Sequence, residues 1–297
     1  MKRKIFLIFI FLGLVFIFYN SFRQIYKKKI YLKKREIAWE NLRENIENKV
    51  EKFRGKVGIL IKDLETDWEI SFNKEEPFPA ASLIKVPIMV ACFQAVREGK
   101  LKLEDKVKLK ASDKVSGSGI LKNLPSGKTF TMERLIELMI TVSDNTATNI
   151  LIEKLGFDYL NNSFKKMGLK DTKLLRKMMD FRYRKRGIDN FTTAYDVAYI
   201  LERIYHKKLL DKDFSQKCLD LLFAQKFRDR IPSKLPKEVK VAHKTGLEKK
   251  VCHDAGIVFG NKGNYIIVVL TKGGETKLAK DFISEISLLV YNYYSYF

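Results

Sequence analysis

Cysteine and histidine are scarce in this chain of 297 residues, which holds three of each. Cys92, Cys218 and Cys252 are too few and too scattered for a disulfide framework. Metal binding finds no better support. Cys252 and His253 are neighbours on a predicted strand and so point to opposite faces, and His206 and His243 have no partner at ligand spacing. There is no P-loop, no G-x-G-x-x-G element and no internal repeat, which removes the usual nucleotide-binding and solenoid readings and implies no cofactor. Acidic residues are the minority charge, 35 against 57 Lys and Arg, for a net charge of +22. The excess is spread along the chain without a zinc-finger, RRM or basic-zipper pattern. It predicts a solvated basic surface near an anionic membrane or wall, with no nucleic-acid partner.

One long hydrophobic run is present. After Met1-Lys2-Arg3-Lys4 the chain is apolar from Ile5 to Tyr19, as a helix roughly 22 Å long and so short of a ~30 Å bilayer core. With a basic start and no small-residue cleavage site behind it, residues 1–22 are expected to be a membrane anchor, or a signal segment if cleaved. Arg23, Lys27, Lys28, Lys29, Lys33, Lys34 and Arg35 follow, a flank that by charge alone would hold the rest of the chain in the cytoplasm. Residues 23–50 are expected to be a basic juxtamembrane linker and an amphipathic helix, since Trp39, Leu42, Ile46, Val50 and Phe53 recur at helical spacing from about Tyr31.

From Gly55 the pattern turns to strands, "KVGILIKDLE" and "DWEISFN", and then to a helix from about Ser82 to Glu98. Residues 101–235 read mostly as helices, with N-caps expected at Thr131, Asn145 and Thr192 and C-caps at Gly156 and Gly168. Strands return as "VKVAHKTG", "VCHDAGIVFG" and "NYIIVVLTKG", the last two joined by a hairpin at Asn261-Lys262-Gly263, before a final helix from about Thr276 to Tyr294. The expected fold is α/β: an antiparallel five-stranded sheet built from both chain ends, flanked by helices, with an inserted all-helical subdomain. The cleft between the two parts is the natural site.

The stretch "PAASLIKVPIMVACF" sets one hydroxyl, Ser82, and one cation, Lys85, in an apolar segment. If the helix begins at Ser82 the two share a face, and a buried lysine without an anion gives up its proton. A neutral amine beside a hydroxyl is a general base beside a nucleophile. Taken alone, Ser82 reads as an N-cap sooner than as a nucleophile, and S-x-x-K also occurs at Ser71–Lys74 and Ser163–Lys166. Two further motifs, each found once, change this: Ser143-Asp144-Asn145 after an apolar helix, and Lys244-Thr245-Gly246 on a strand beyond the helical block.

In this order the three motifs resemble those of the serine penicillin-recognising enzymes, and most closely the class A beta-lactamase-like proteins, over residues 51–297. The resemblance implies the beta-lactamase/transpeptidase-like fold and an acyl-enzyme on Ser82, with Lys85 helping to take its proton. Ser143 would relay a proton to the leaving nitrogen, and Asn145 would contact Lys85 and the substrate amide. Lys244 would supply positive potential, and Thr245 and Gly246 would line the subsite for the substrate carboxylate. The backbone N–H groups of Ser82 and Leu247 would form the oxyanion hole.

The chain departs from the family in one loop. Class A enzymes carry a glutamate that activates the deacylating water, whereas "LLRKMMDFRYRKRGIDNFTTAYD" at 174–196 has none. Aligning Arg176 with the family's loop arginine puts Met178 in that position. The nearest carboxylate is Asp180, which either orients a water or pairs with Arg176 or Arg182. Asn190 is expected to close the loop. Three readings follow: a hydrolase opening the beta-lactam amide, with slow deacylation; a D,D-peptidase or penicillin-binding hydrolase acting on peptidoglycan-derived peptides; and a wall-binding protein without chemistry. The substrate class places the domain outside the cytoplasm, against the local charge count.

Overall fold

The computed structural model describes the backbone of residues 2–297 and the side chains of residues 14–297. The chain opens with one helix, α1 (Lys2–Lys52). The anchor expected at Ile5–Tyr19 falls largely on side chains outside the described residues. Among the described residues no helix is long and apolar enough to cross a membrane, although Leu14–Tyr19, Phe22, Ile25 and Tyr26 are all exposed. The amphipathic helix expected from Tyr31 is the second half of α1 rather than a separate element. No glycine, proline or cap interrupts residues 14–52.

That second half is docked. Buried Arg35 pairs with Asp63 and donates to the Tyr293 hydroxyl at 3.1 Å, while Tyr294 donates to Asp63 at 2.7 Å. One, two and three turns on, Trp39, Leu42 and Ile46 enter the core.

Strands β1 (Lys56–Asp63) and β2 (Glu69–Phe72) follow, then β3 (Phe78–Pro79), a 3-10 turn (Ala81–Ile84) and α2 (Lys85–Arg97). The helical block contains the short pair β4 (Lys106–Lys108) and β5 (Thr129–Thr131), then α3 (Met132–Thr141), α4 (Asn145–Leu155), α5 (Phe157–Lys166) and α6 (Phe181–Lys185). Next come β6 (Phe191–Thr192), which pairs with β3, and α7 (Ala194–Tyr205) and α8 (Lys212–Phe223). The chain closes with a 3-10 turn (Ile231–Lys234), β7 (Lys240–Glu248), β8 (Val251–Gly260), β9 (Gly263–Lys272) and α9 (Thr276–Tyr296).

The main sheet has the order β2-β1-β9-β8-β7 and is antiparallel throughout. Its central strands are apolar on both faces because two cores use them. Ile59, Ile61, Ile267 and Val269 pack with Trp39, Ile46, Ile283 and Ile286 of α1 and α9. Leu60, Ile266, Val268 and Leu270, the alternate positions, pack with the helical block. Helix α2 is apolar nearly all round and lies inside that second core, which carries the 3-10 turn before it to the edge of β7.

Two expected N-caps sit one residue away from the ones observed. Asp144 caps α4, accepting from Ala147 N at 2.9 Å, because the Asn145 side chain is engaged by Lys85 and by Ser116 O. Thr193 caps α7 because Thr192 belongs to the β3–β6 pair and meets Thr172 at 2.9 Å. Thr131 caps α3 as expected.

Candidate active site

Ser82 lies in the 3-10 turn ahead of α2 and is nearly buried. No side chain caps that turn or α2, so the hydroxyl is not spent as an N-cap. The turn is entered through Ala81 at φ +44°, an unusual conformation for a residue with a Cβ. Two contacts hold it. Ala80 N donates to Asn190 O at 2.7 Å, and Gly246 of β7 comes so close that a Cβ there would lie 3.3 Å from the His253 ring and 3.4 Å from Ala81 Cβ. Gly246 is therefore the residue that lets the strand approach the turn carrying Ser82.

Lys85 opens α2 and is fully buried. Its Nζ lies 2.7 Å from Ser143 O, 2.8 Å from Asn145 Oδ1 and 3.1 Å from Ser143 Oγ. Lys244 Nζ, also fully buried, reaches the same Ser143 Oγ at 3.0 Å and its neighbour's carbonyl, Thr245 O, at 3.0 Å. Ser143 itself is held at φ +55°. The loop around it is fixed by Asp144, whose Oδ2 accepts from Ile120 N at 2.7 Å and Leu121 N at 2.9 Å. Three residues from three motifs, with Lys85 58 positions before Ser143 and Lys244 101 positions after it, thus meet at one hydroxyl.

Two buried ammonium groups around one hydroxyl cannot both keep their protons cheaply. Burial, and then the Lys244 charge, pushes Lys85 well below its ordinary range, against the weaker pull of Asp144 and Glu248. Burial also lowers Lys244, to about 7; Asp254 opposes this and Arg230 adds to it. With Lys85 neutral, its lone pair can take the Ser143 proton while Ser143 Oγ accepts from Lys244. The hydroxyl then bridges a base and an acid.

A pH dependence follows. If Lys85 is to accept a proton from Ser82 it must be neutral, and the acid limb of such a reaction would lie well below the ordinary lysine range. If Lys244 is to attract an anionic substrate it must be charged, and kcat/KM of the free protein would then fall as pH rises through about 7. A kcat/KM profile over pH 5 to 10 with a reporter substrate checks this. A rate that keeps rising to pH 10 would contradict it.

Thr245 is buried and pairs with Asp254, while Leu247 is half-exposed and pairs with Cys252, at the site end of β7. His253 joins β8 to the segment before Ser82: its Nε2 lies 2.8 Å from Pro79 O, and Thr271 N donates to its Nδ1 at 3.0 Å. That pattern fixes the neutral tautomer with the proton on Nε2, and burial brings the group down to about 4.

The loop at 174–190 is not free coil. Asn190 closes it, its Oδ1 accepting from Leu175 N at 2.7 Å and Arg176 N at 2.9 Å. Arg176 does not pair with Asp180. It is buried and donates to Asp189 at 2.7 Å and Glu248 at 3.1 Å. Met178 is pinned by its backbone, with N 2.7 Å from Asn149 Oδ1 and O 3.1 Å from Asn149 Nδ2. Asp180 lines a cavity of about 350 Å³ with Val115, Asn149, Met178 and Met179. Among the described residues its nearest cation is Arg182 at 3.7 Å, and its buried Oδ1 has no hydrogen-bond donor. Sequence reasoning missed Asn149, Asp189, Arg230, Glu248 and the bridging role of His253. The one available signal was Glu248 standing two residues beyond the Lys244-Thr245-Gly246 motif.

The comparisons with known proteins agree with this geometry. Residues 41–294 match the sequence profile of the beta-lactamase enzyme family. Beta-lactamase VEB-1 of Pseudomonas aeruginosa is 26% identical over 86% of this chain and 91% of its own. Among solved structures, a beta-lactamase from Sphaerobacter thermophilus superposes with a TM-score of 0.80 at 28% identity, covering 87% of this chain and 98% of that one. PBP-A superposes with a TM-score of 0.80 at 29% identity, covering 86% and 97%. A PBP-A mutant in an acyl-enzyme complex with penicillin G gives 0.80 at 28%, covering 87% and 97%. Fold, motif geometry and a profile spanning most of the length lead to one conclusion: the chain belongs to the beta-lactamase enzyme family.

Proposed function

We propose that this protein is a serine hydrolase that opens the beta-lactam amide through an acyl-enzyme on Ser82 and releases the acyl group slowly. The observation that carries the reading is Ser143 Oγ between two buried amines, Lys85 at 3.1 Å and Lys244 at 3.0 Å, with Ser82 in the 3-10 turn that leads directly into Lys85. In acylation the Ser82 hydroxyl proton passes to the Lys85 lone pair as Oγ bonds to the carbonyl carbon. The N–H groups of Ser82 and Leu247 receive the developing oxyanion. Collapse breaks the C–N bond. The departing nitrogen takes the Ser143 proton, and Ser143 is recharged from the protonated lysine beside it. Asn145 orients Lys85 and the substrate amide, and Lys244, Thr245 and Gly246 receive the carboxylate.

Slow release follows from Met178. A thioether cannot activate water, and the one carboxylate in the adjoining cavity, Asp180, is shorter and set two residues along. The same feature favours the second reading, a penicillin-binding D,D-peptidase acting on wall peptides, and the likeness to PBP-A supports it. Turnover of a chromogenic cephalosporin, measured against release of terminal D-alanine from a peptide, separates the two. Faster D-alanine release would replace the first reading with the second, and a Ser82→Ala protein keeping its full biological effect would leave only wall binding.

Within this reading residues 1–22 are the membrane anchor or signal segment, 23–50 the basic linker and amphipathic helix, and 51–297 the hydrolase domain, held outside the cytoplasm where such substrates lie. The apolar side chains displayed by α1 from Leu14 to Tyr26 support the anchor.

A further inference from the structure

A chain of polar contacts runs between the two ends of the oxyanion hole by way of the loop at 174–190. It begins at Ala80, two residues before Ser82, whose N–H donates to Asn190 O at 2.7 Å. Asn190 N in turn donates to Asp189 Oδ1 at 2.9 Å. Asp189 receives two arginines: Arg176 Nε at 2.7 Å on Oδ1, and Arg184 Nε at 3.2 Å on Oδ2. Both arginines continue to Glu248, Arg176 at 3.1 Å on Oε1 and Arg184 at 2.6 Å on Oε2. Glu248 is the residue after Leu247.

The two cations and two carboxylates balance, and three of the four are almost out of solvent, with Arg184 at 27% side-chain exposure. Such a network is geometrically demanding, because each fork must meet two carboxylates at once. Strand β7 is the edge of the sheet, so past Gly246 its last residues have β8 on one side alone. The ion pairs at Glu248 are what hold the other side.

We propose that Arg184 and Glu248 are positioning residues, which set the Leu247 N–H against the Ser82 N–H through the 174–190 loop and so align the oxyanion hole. The proposal rests on the acyl-transfer reading of Ser82. Oxyanion donors act on charge that exists only in the transition state, so a misaligned donor costs rate rather than ground-state affinity. Glu248 also offsets a little of the lowering of Lys85, so its effect includes a small field on the base.

The test is stopped-flow acylation of the full chain by a penicillin, resolved into the pre-acylation dissociation constant and the acylation rate constant. Glu248→Gln should lower the rate constant about ten- to a hundredfold and Arg184→Ala about tenfold, with the dissociation constant unchanged in both. Arg184→Lys, which keeps the charge but not the fork, should fall between Arg184→Ala and wild type. Unchanged rate constants, or equal losses in both parameters, would overturn the proposal. Amide exchange of the peptide covering 244–250 is read alongside. It should quicken in Arg184→Ala while the β8–β9 hairpin stays as in wild type, and unchanged exchange would overturn the tie itself. If wild type is not acylated but exchange at 244–250 quickens, the contact chain stands and the acyl-transfer reading falls.

Discussion

Lys85→Met is expected to lower the rate of Ser82 acylation by a penicillin about 10³-fold or more. Methionine fills the lysine's space closely but carries no basic nitrogen, so the Ser82 proton has no acceptor at the head of α2. Ser143 cannot substitute, since a hydroxyl between two amines is itself a relay and needs one of them as its base. The residual rate would come from the oxyanion hole and binding alone. Lys244 is lowered by burial and by Arg230 rather than by Lys85, so the alkaline limb near 7 should stay where it is in wild type. Acylation followed by intact mass, with a melting curve to show that the variant is folded, decides the matter. A fall of less than tenfold would mean that Lys85 is not the base.

Met178→Glu is expected to shorten the lifetime of the penicillin adduct about a hundredfold or more, leaving acylation nearly unchanged. The backbone at 178 is already fixed on both sides by Asn149, so a new side chain there starts from a defined origin. The position is almost fully buried, which will raise the pKa of the introduced carboxyl. Release should therefore quicken with pH as that group ionises. Adduct decay measured from pH 5 to 9 tests both statements. A lifetime equal to wild type throughout would show that position 178 does not face the acyl group, and would make Asp180, with its undonated oxygen, the residue to examine.

Much of this architecture was legible in the sequence. Short apolar runs rich in Val and Ile and bounded by turn residues marked the strands, and helical spacing marked the block between them. The order of three short motifs was more informative than any one of them, since Ser82 alone reads as a cap. What escaped was of a different kind. The continuity of α1 through the amphipathic stretch depends on the absence of a breaker, which a search for periodic segments passes over. The one-residue shifts at Asp144 and Thr193 arise because Asn145 and Thr192 have tertiary partners that outrank capping.

The charged network around Glu248 was harder still. Arg176, Arg184, Asp189 and Glu248 are ordinary surface residues by composition, and in a chain with 57 basic residues an arginine carries little information by itself. Two sequence-distant segments must be folded together before their charges are seen to balance. The same holds for His253, whose neighbour Cys252 suggested a metal question while its ring was engaged as a strut between Pro79 and Thr271.

Acyl transfer requires a covalent bond at Ser82. Intact-protein mass is followed over time after the full chain is mixed with a penicillin, with Ser82→Ala as the control. Wild type should carry an adduct of the penicillin's mass, absent from Ser82→Ala, that persists long after free penicillin is removed. No adduct in wild type, or the same adduct in Ser82→Ala, would contradict acyl transfer at Ser82.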